Sequence, residues 1–429
     1  MKTKGFNKTV SIYGLGYIGL PTAAMFASKG IQVIGIDVNK DIIDSVNNAS
    51  VLSTEPGLNK KINELISKKL IKAFDHAQES EVFIITVPTP IHKDDKNIEA
   101  PQADISYILN AAGEISKVLK KGDLIILEST SPVGTTKKLR NFLEQKRKDL
   151  TFPHKQDSDS DVRIAYCPER VMPGNIIYEL ENNDRIIGGL SKRCSREAKK
   201  VYEIFLNAEC FLTDADTAEM AKLTENASRD VQIAFANELS IICDKNGINV
   251  WELIKLVNKH PRVNVLQPGP GVGGHCIAVD PWFIVAENPV DSKLIKKARQ
   301  INDSKPGWVI KKIKDDINKI LEASSSRELK IGFFGITFKP NIDDIRESPS
   351  LEIVEYFAKE NLHKIYVIEP NIKSLPDSIK NAELVDENFK YENCDILVIL
   401  VDHDQFKSIN FKNMHVIDTK GILNDNDGN

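Results

Sequence analysis

Three sets of residues in this chain have types and spacings that could do chemistry. The first is Gly14-Leu15-Gly16-Tyr17-Ile18-Gly19, a G-x-G-x-x-G run between a β-type stretch and a helical one. In that setting the first glycine permits the tight turn and the second lets backbone approach a pyrophosphate. The third lets helix and strand pack closely, with the helix N-terminus facing the phosphates. Asp37 ends the next β-type run, 18 residues after Gly19. A carboxylate there accepts adenosine ribose hydroxyls and repels a 2′-phosphate, so NAD is favoured over NADP. Two further strand ends, Val87-Pro88-Thr89-Pro90 and Glu128-Ser129-Thr130, fall where the cofactor crevice of such a sheet opens.

The second set surrounds Cys276, in Gly271-Val272-Gly273-Gly274-His275-Cys276-Ile277-Ala278-Val279-Asp280. Glycines just before a helix expose backbone N–H groups, and a thiol in that first turn is more acidic than a free one. Asp280 lies four residues on, on the same face if the turn is helical. Pro281 disfavours helix at Asp280, which predicts a short or kinked helix there. The third set is Lys222 and Asn226, also spaced i, i+4, so that an ammonium and an amide project from one helix face. A solvated face would show the same pair. His275 beside Cys276 invites a cysteine hydrolase reading, but adjacent helical residues point different ways.

The remaining cysteines, 167, 194, 210, 243 and 394, are scattered without a C-x-x-C pair and read as small buried hydrophobes. The eight histidines show no zinc-ligand spacing, so no metal is expected.

Periodicity places these residues on elements. Residues 9–215 alternate short β-type runs (9–13, 32–36, 82–87, 124–127 and 162–166) with helical stretches, the pattern of a parallel, doubly wound sheet. From Asp216 to Lys245 no Gly or Pro interrupts a helical pattern, and Asn246-Gly247 closes it as a C-cap. Residues 251–322 look mainly helical around a Gly/Pro-rich segment, Gln267–Gly274, and three serines at 324–326 mark a linker. Runs at 330–334, 364–368, 395–400 and 415–417 give a second βαβ set. The insert 155–161 reads as a solvated loop. The expected fold class is α/β: two Rossmann-like doubly wound domains joined by a central helical domain, with boundaries at 1–215, 216–323 and 324–429.

Composition agrees. The chain has 429 residues, 57 Lys+Arg and 61 Asp+Glu, a net charge of −4 that argues against nucleic-acid binding. No apolar run is long enough to span a bilayer, and the N-terminal stretch does not read as a signal peptide. A cytoplasmic protein without membrane insertion is expected.

Taken together, GLGYIG (14–19), VPTP (87–90), ESTSPVGTT (128–136), CPERVMPGN (167–175), AEMAKLTEN (218–226), PGVGGHCIAVD (270–280) and FKPNIDDIRES (338–348) resemble the nucleotide-sugar 6-dehydrogenases of the UDP-glucose/GDP-mannose dehydrogenase family. The likeness covers nearly the whole chain. It implies a four-electron oxidation of a sugar C6 alcohol to a carboxylate with two NAD⁺, through an adduct on Cys276. It assigns oxyanion stabilisation to Lys222 and Asn226, water protons to Asp280 or Glu169, and orientation of water or nicotinamide to Thr130. Gly14, Gly16, Tyr17, Ile18, Gly19, Asp37, Pro88, Thr89 and Thr130 are carried as cofactor contacts. Arg346 joins them, near the pyrophosphate or a domain interface. Glu169, Arg170, Val171, Lys222, Asn226, Arg262, Asn264, Gly273 and Lys339 are carried as substrate contacts.

The second α/β region lacks G-x-G-x-x-G; its turn, Gly335-Ile336-Thr337-Phe338-Lys339, suits UDP better than a second NAD. Met172-Pro173-Gly174 stands where members acting on UDP-glucose often carry another acidic residue, which fits an N-acetylated sugar. The motifs at 167–174, 183–189 and 259–281 are similar to members acting on UDP-N-acetyl-D-mannosamine, in bacterial surface polysaccharide synthesis. UDP-N-acetyl-D-glucosamine is the alternative substrate, and a non-catalytic NAD/UDP-sugar-binding regulator the alternative function. The family resemblance also implies a homodimer through the central helices.

Overall fold

The computed structural model describes residues 8–52, 57–91, 100–154, 159–171, 174–274, 276–323, 328–386 and 389–425. Met172, Pro173, His275 and residues 155–158 of the insert lie outside that set. The chain divides into two units, one of residues 1–225 with 282–287 and one of 226–281 with 288–429.

The first unit is built on strands β1 (Val10–Tyr13), β2 (Val33–Ile36), β3 (Ile71–Phe74), β4 (Val82–Ile85), β5 (Leu124–Leu127), β6 (Arg163–Tyr166), β7 (Arg185–Gly189) and β8 (Cys210–Asp214). Every residue of β1, β4 and β5 is buried, which suits central strands covered on both faces. The order β3-β2-β1-β4-β5-β6-β7-β8 reverses between β1 and β4, the switch point where such sheets hold ligands. The expected doubly wound sheet is present, with one departure. β7 runs antiparallel to β6, pairing Ala165 with Gly189 and Tyr166 with Gly188, while the other neighbours are parallel. Strands β3, β7 and β8 were not among the sequence expectations.

The helix expected over Asp216–Lys245 spans Ala215–Lys245, 31 residues or about 46 Å. Glu219, fully buried near its start, accepts the N–H groups of Gly134 (2.6 Å) and Thr136 (2.8 Å) and the Thr136 hydroxyl (2.6 Å). It thereby caps the helix Thr135–Lys146 with a carboxylate. At the other end Gly247 turns left-handed (φ 66°) and Ile248 donates to the Cys243 carbonyl at 2.9 Å, the expected C-cap.

The second unit contains β9 (Lys330–Phe334), β10 (Lys364–Ile368), β11 (Ala382–Val385), β12 (Ile396–Ile399) and β13 (Val416–Asp418), all parallel in the order β11-β10-β9-β12-β13. The helix Lys293–Ala323 packs Val309, Ile313 and Ile317 on one face of this sheet. Its N-terminal half meets residues of the Ala215–Lys245 helix through buried polar groups. Arg299 is fully buried and pairs with Asp230 and Asp303. Asn302 donates to Asp230 at 2.8 Å, and Asn237 donates to Asn302 at 2.9 Å.

Removing one partner from a buried ion pair strands the other charge, at about 3–5 kcal/mol. Asp230→Ala is therefore expected to lower the urea midpoint of this unit. A midpoint unchanged from the parent chain would show that the pair contributes no net stability.

Candidate active site

At the switch point of the first sheet, Gly14 adopts φ +94°, and a β-carbon there would press on the Thr86 carbonyl at 3.2 Å. A β-carbon on Gly19 would overlap the Gly14 carbonyl oxygen, so helix Gly19–Ser28 can start only where it does. Gly16 is exposed and faces open space, as a turn that admits a pyrophosphate requires. Tyr17 packs on the core and Ile18 is the N-cap residue. Asp37 is half-buried; it accepts the Leu15 N–H at 2.7 Å and the Asn39 N–H at 2.9 Å. Each of its oxygens keeps a second lone pair for a ribose hydroxyl. Thr86, which sequence reasoning did not single out, donates to the carbonyls of Tyr13 and Gly14 and locks the turn. Thr89 donates to the Thr130 carbonyl at 2.5 Å, joining two of the expected cofactor residues; Pro88 is exposed beside them. This half of the site fits NAD.

Behind the ends of β5 and β6 lies a buried charged cluster. Arg185 bonds Glu128 at 3.2 Å and Glu169 at 3.0 Å. Its guanidinium also lies 4.4 Å over the Tyr202 ring. Burial raises the Glu128 carboxyl above the usual range, against the pull of Arg185, and the Glu169 charge raises it further. Burial likewise pushes the Cys167 thiol up to about 12, so that cysteine is inert. Arg170 grips Glu225 at 2.7 Å and the Asp184 carbonyl at 3.1 Å, and Val171 packs on the core. Lys222 is half-buried on the long helix.

In the second unit, Cys276 is exposed, whereas Cys167, Cys194, Cys210 and Cys243 are buried and Cys394 is intermediate. It opens a turn that runs directly into helix Asp280–Glu287, with the Asp280 N–H bonded to the Cys276 carbonyl at 2.8 Å. The helix begins at Asp280, with Pro281 in its first turn. Asp280 is buried and accepts from the Asn226 amide at 2.5 Å, which brings together two expected residues 54 positions apart.

The glycines before Cys276 also stand where no β-carbon would fit. A β-carbon on Gly273 would stand 2.6 Å from Phe338 and 2.7 Å from the Glu347 carbonyl. One on Gly274 (φ +79°) would stand 2.9 Å from the Phe338 ring. The loop is glycine-rich because it lies flat on the segment 338–349. Arg299 donates to the Ile277 carbonyl (3.5 Å) and Asn237 accepts the Gly269 N–H (2.9 Å), pinning the loop from its other side.

The first turn of the second sheet repeats the first with a different outcome. Gly335 has φ +87°, and Glu369, after β10, accepts the Ile336 N–H at 2.9 Å as Asp37 does for Leu15. Glu369 is buried, however, and also bonds Asn371 and the fully buried His403 (3.1 Å). Burial raises its pKa, but these hydrogen bonds outweigh burial and hold it below the usual value. Lys339 is half-buried, its carbonyl held by Thr337 at 2.9 Å. Arg346 folds back on Asp344 at 2.6 Å, while Arg262 and Asn264 sit on an exposed loop after helix Val250–Val257.

A dinucleotide crevice in the first sheet and an exposed thiol at Cys276 are the parts of an NAD-dependent dehydrogenase. Residues 8–206, 216–304 and 332–425 match in turn the NAD binding, central and UDP binding domains of the UDP-glucose/GDP-mannose dehydrogenase family, and the chain belongs to that family. It is 51% identical over 420 residues to UDP-N-acetyl-D-mannosamine dehydrogenase of Escherichia coli (strain K12), covering 96% of this chain and 99% of that one. Identity to the NDP-N-acetyl-D-galactosaminuronic acid dehydrogenase of Ralstonia nicotianae (strain ATCC BAA-1114 / GMI1000) is 49% over 418 residues, covering 97% and 96%. The solved UDP-D-ManNAc dehydrogenase from Pyrococcus horikoshii aligns with a TM-score of 0.84 at 37% identity, covering 96% of each chain. Among the described residues no helix is long and apolar enough to cross a membrane.

Asp37→Ala removes the carboxylate that accepts the Leu15 N–H and repels a 2′-phosphate. The KM for NAD is expected to rise about tenfold relative to that for NADP. An unchanged ratio would exclude Asp37 as the ribose ligand.

Proposed function

We propose that the chain oxidises the C6 alcohol of UDP-N-acetyl-D-mannosamine to the carboxylate of UDP-N-acetyl-D-mannosaminuronate. The observation that carries this reading is the exposed Cys276 thiol, one turn ahead of a buried Asp280 bonded to Asn226. When bound, NAD⁺ accepts the hydride released in each of the two oxidations.

The residues supply the rest. Lys222 and Asn226 lower the energy of the C6 oxyanion as its proton leaves. Cys276 adds through sulfur to the resulting aldehyde carbon, and the oxygen takes up a proton to give a thiohemiacetal. Loss of the second hydride and the hydroxyl proton leaves a thioester. Water then attacks the acyl carbon, giving up a proton to Asp280 or Glu169, and the carbon–sulfur bond breaks to return the thiol. Thr130 orients the water or the nicotinamide.

Gly273, Lys339, Arg262 and Asn264, with Arg170 and Val171, are the proposed contacts to the nucleotide sugar. Arg346 serves the cofactor pyrophosphate or a domain interface. The working parts are 1–215 for NAD, 216–323 for the central helices and 324–429 for UDP. A homodimer through the central helices is supported by Phe235 and Ile242, exposed seven residues apart on the long helix, and by Ile248 and Leu256 beyond it. The proposed setting is cytoplasmic, feeding bacterial surface polysaccharide synthesis.

Purified protein is expected to reduce two NAD⁺ per UDP-N-acetyl-D-mannosamine consumed, and a side-by-side assay with UDP-N-acetyl-D-glucosamine to give the lower kcat/KM. A ratio of one NADH per sugar, or no turnover with either, contradicts the mechanism. Cys276→Ser is expected to bind substrate normally and release no uronate at an appreciable rate. Rapid product release by that variant would remove Cys276 from the scheme.

A further inference from the structure

We infer that Arg185 is a positioning residue for Glu169, holding its carboxylate in one orientation, and that Glu128 braces the other arm of the same guanidinium. The inference rests on the proposed role of Glu169 as a base for the attacking water.

The antiparallel run of β7 explains why these residues meet. Its ladder with β6 pairs Tyr166 with Gly188. Counting three residues further in each direction brings Arg185 opposite Glu169. The guanidinium then spans two carboxylates, with Nη1 on Glu128 Oε1 at 3.2 Å and Nη2 on Glu169 Oε2 at 3.0 Å. The Arg185 side chain is 4% exposed, that of Glu128 0% and that of Glu169 10%. Only Glu169 reaches towards solvent. Its other oxygen accepts the Arg170 N–H at 2.6 Å, so both ends of the carboxylate are fixed.

Stability alone is a poor reason for this arrangement. Buried ion pairs repay little of their desolvation cost. Among the described residues Glu128 Oε2 and Arg185 Nε lack any partner, a further penalty. The groups facing Arg185 are Glu128 after β5, Cys167 and Glu169 after β6, and Tyr202 from helix Lys192–Tyr202. Burial raises the Cys167 and Tyr202 groups far enough to keep both neutral, so two carboxylates share one cation. Glu128, bonded to the other arm of the guanidinium, braces Nη2 where it meets Glu169.

Glu128→Met keeps the size and removes the acceptor that braces the guanidinium. Its kcat is expected to fall about tenfold with KM for NAD unchanged, because Glu169 loses its fixed orientation. Arg185→Lys retains the charge without the fork that spans two carboxylates, and kcat is expected to fall at least about tenfold with little change in KM. A folded Glu128→Met variant with the parent's kcat overturns the inference, and that test holds even if Arg185→Lys does not fold. Glu169→Gln separates the two layers. Full activity in that variant removes Glu169 as a base, and with it the present inference. Loss of activity there, beside an unaltered kcat in Glu128→Met, overturns the role of the cluster alone.

Discussion

Backbone packed so closely that no β-carbon fits is the constraint on which both units depend. At Gly19 the space is taken by the carbonyl of Gly14, which fixes the start of the first helix against the first strand. At Gly273 it is taken by Phe338 and the Glu347 carbonyl, which fixes the Cys276 turn against the second sheet's first loop. Close packing of this kind is unforgiving, because interiors have few voids into which a displaced group could move. It converts a flexible residue type into a rigid placement, and the chemistry-bearing side chains inherit that rigidity. The thiol lies two residues beyond such a contact, and the dinucleotide turn is framed by one.

Charges buried away from water supply the second layer of order. Glu219, Asp230 with Arg299, and Arg185 with two glutamates each join segments far apart in sequence. Each is hydrogen-bonded in a directional way that apolar packing is not. They orient more than they stabilise. The Asp230 network pins the loop that carries Cys276 through Asn237 and Arg299, so a polar core feature reaches that loop through two bonds.

Much of this was legible in the sequence where the requirement is local. Gly14, Gly16, Gly19 and Asp37 announce themselves because a turn, a helix start and a strand end fall within one short stretch. The long helix was readable because nothing in Asp216–Lys245 breaks it. The edge strand β3 was not, since Ile71–Phe74 alternates an exposed lysine with buried residues over four positions only. β7 was hidden for another reason: its Gly188 and Gly189 lower strand propensity, yet they let Ala218 and Ser195 approach closely. Arg185 carried one faint signal, a charge opening an otherwise apolar run, but its partners lie 57 and 16 residues away and no local pattern points to them. The close packing of the glycines before Cys276 was not legible, because what they pack against begins 64 residues later, at Phe338.

The two sheets share a turn and differ in what its carboxylate can still do. Asp37 remains half-buried with lone pairs to offer, whereas Glu369 is enclosed by Ile336, Asn371 and His403. A four-electron oxidation removes two hydrides from one sugar. Of these two matching carboxylates only Asp37 is not buried. The reduced cofactor must then leave and a fresh one arrive while a half-oxidised sugar waits. That is a demand on residence time rather than on affinity. In the proposed mechanism a bond to sulfur meets it, since a covalently held intermediate stays through an exchange that a freely diffusing aldehyde would not outlast.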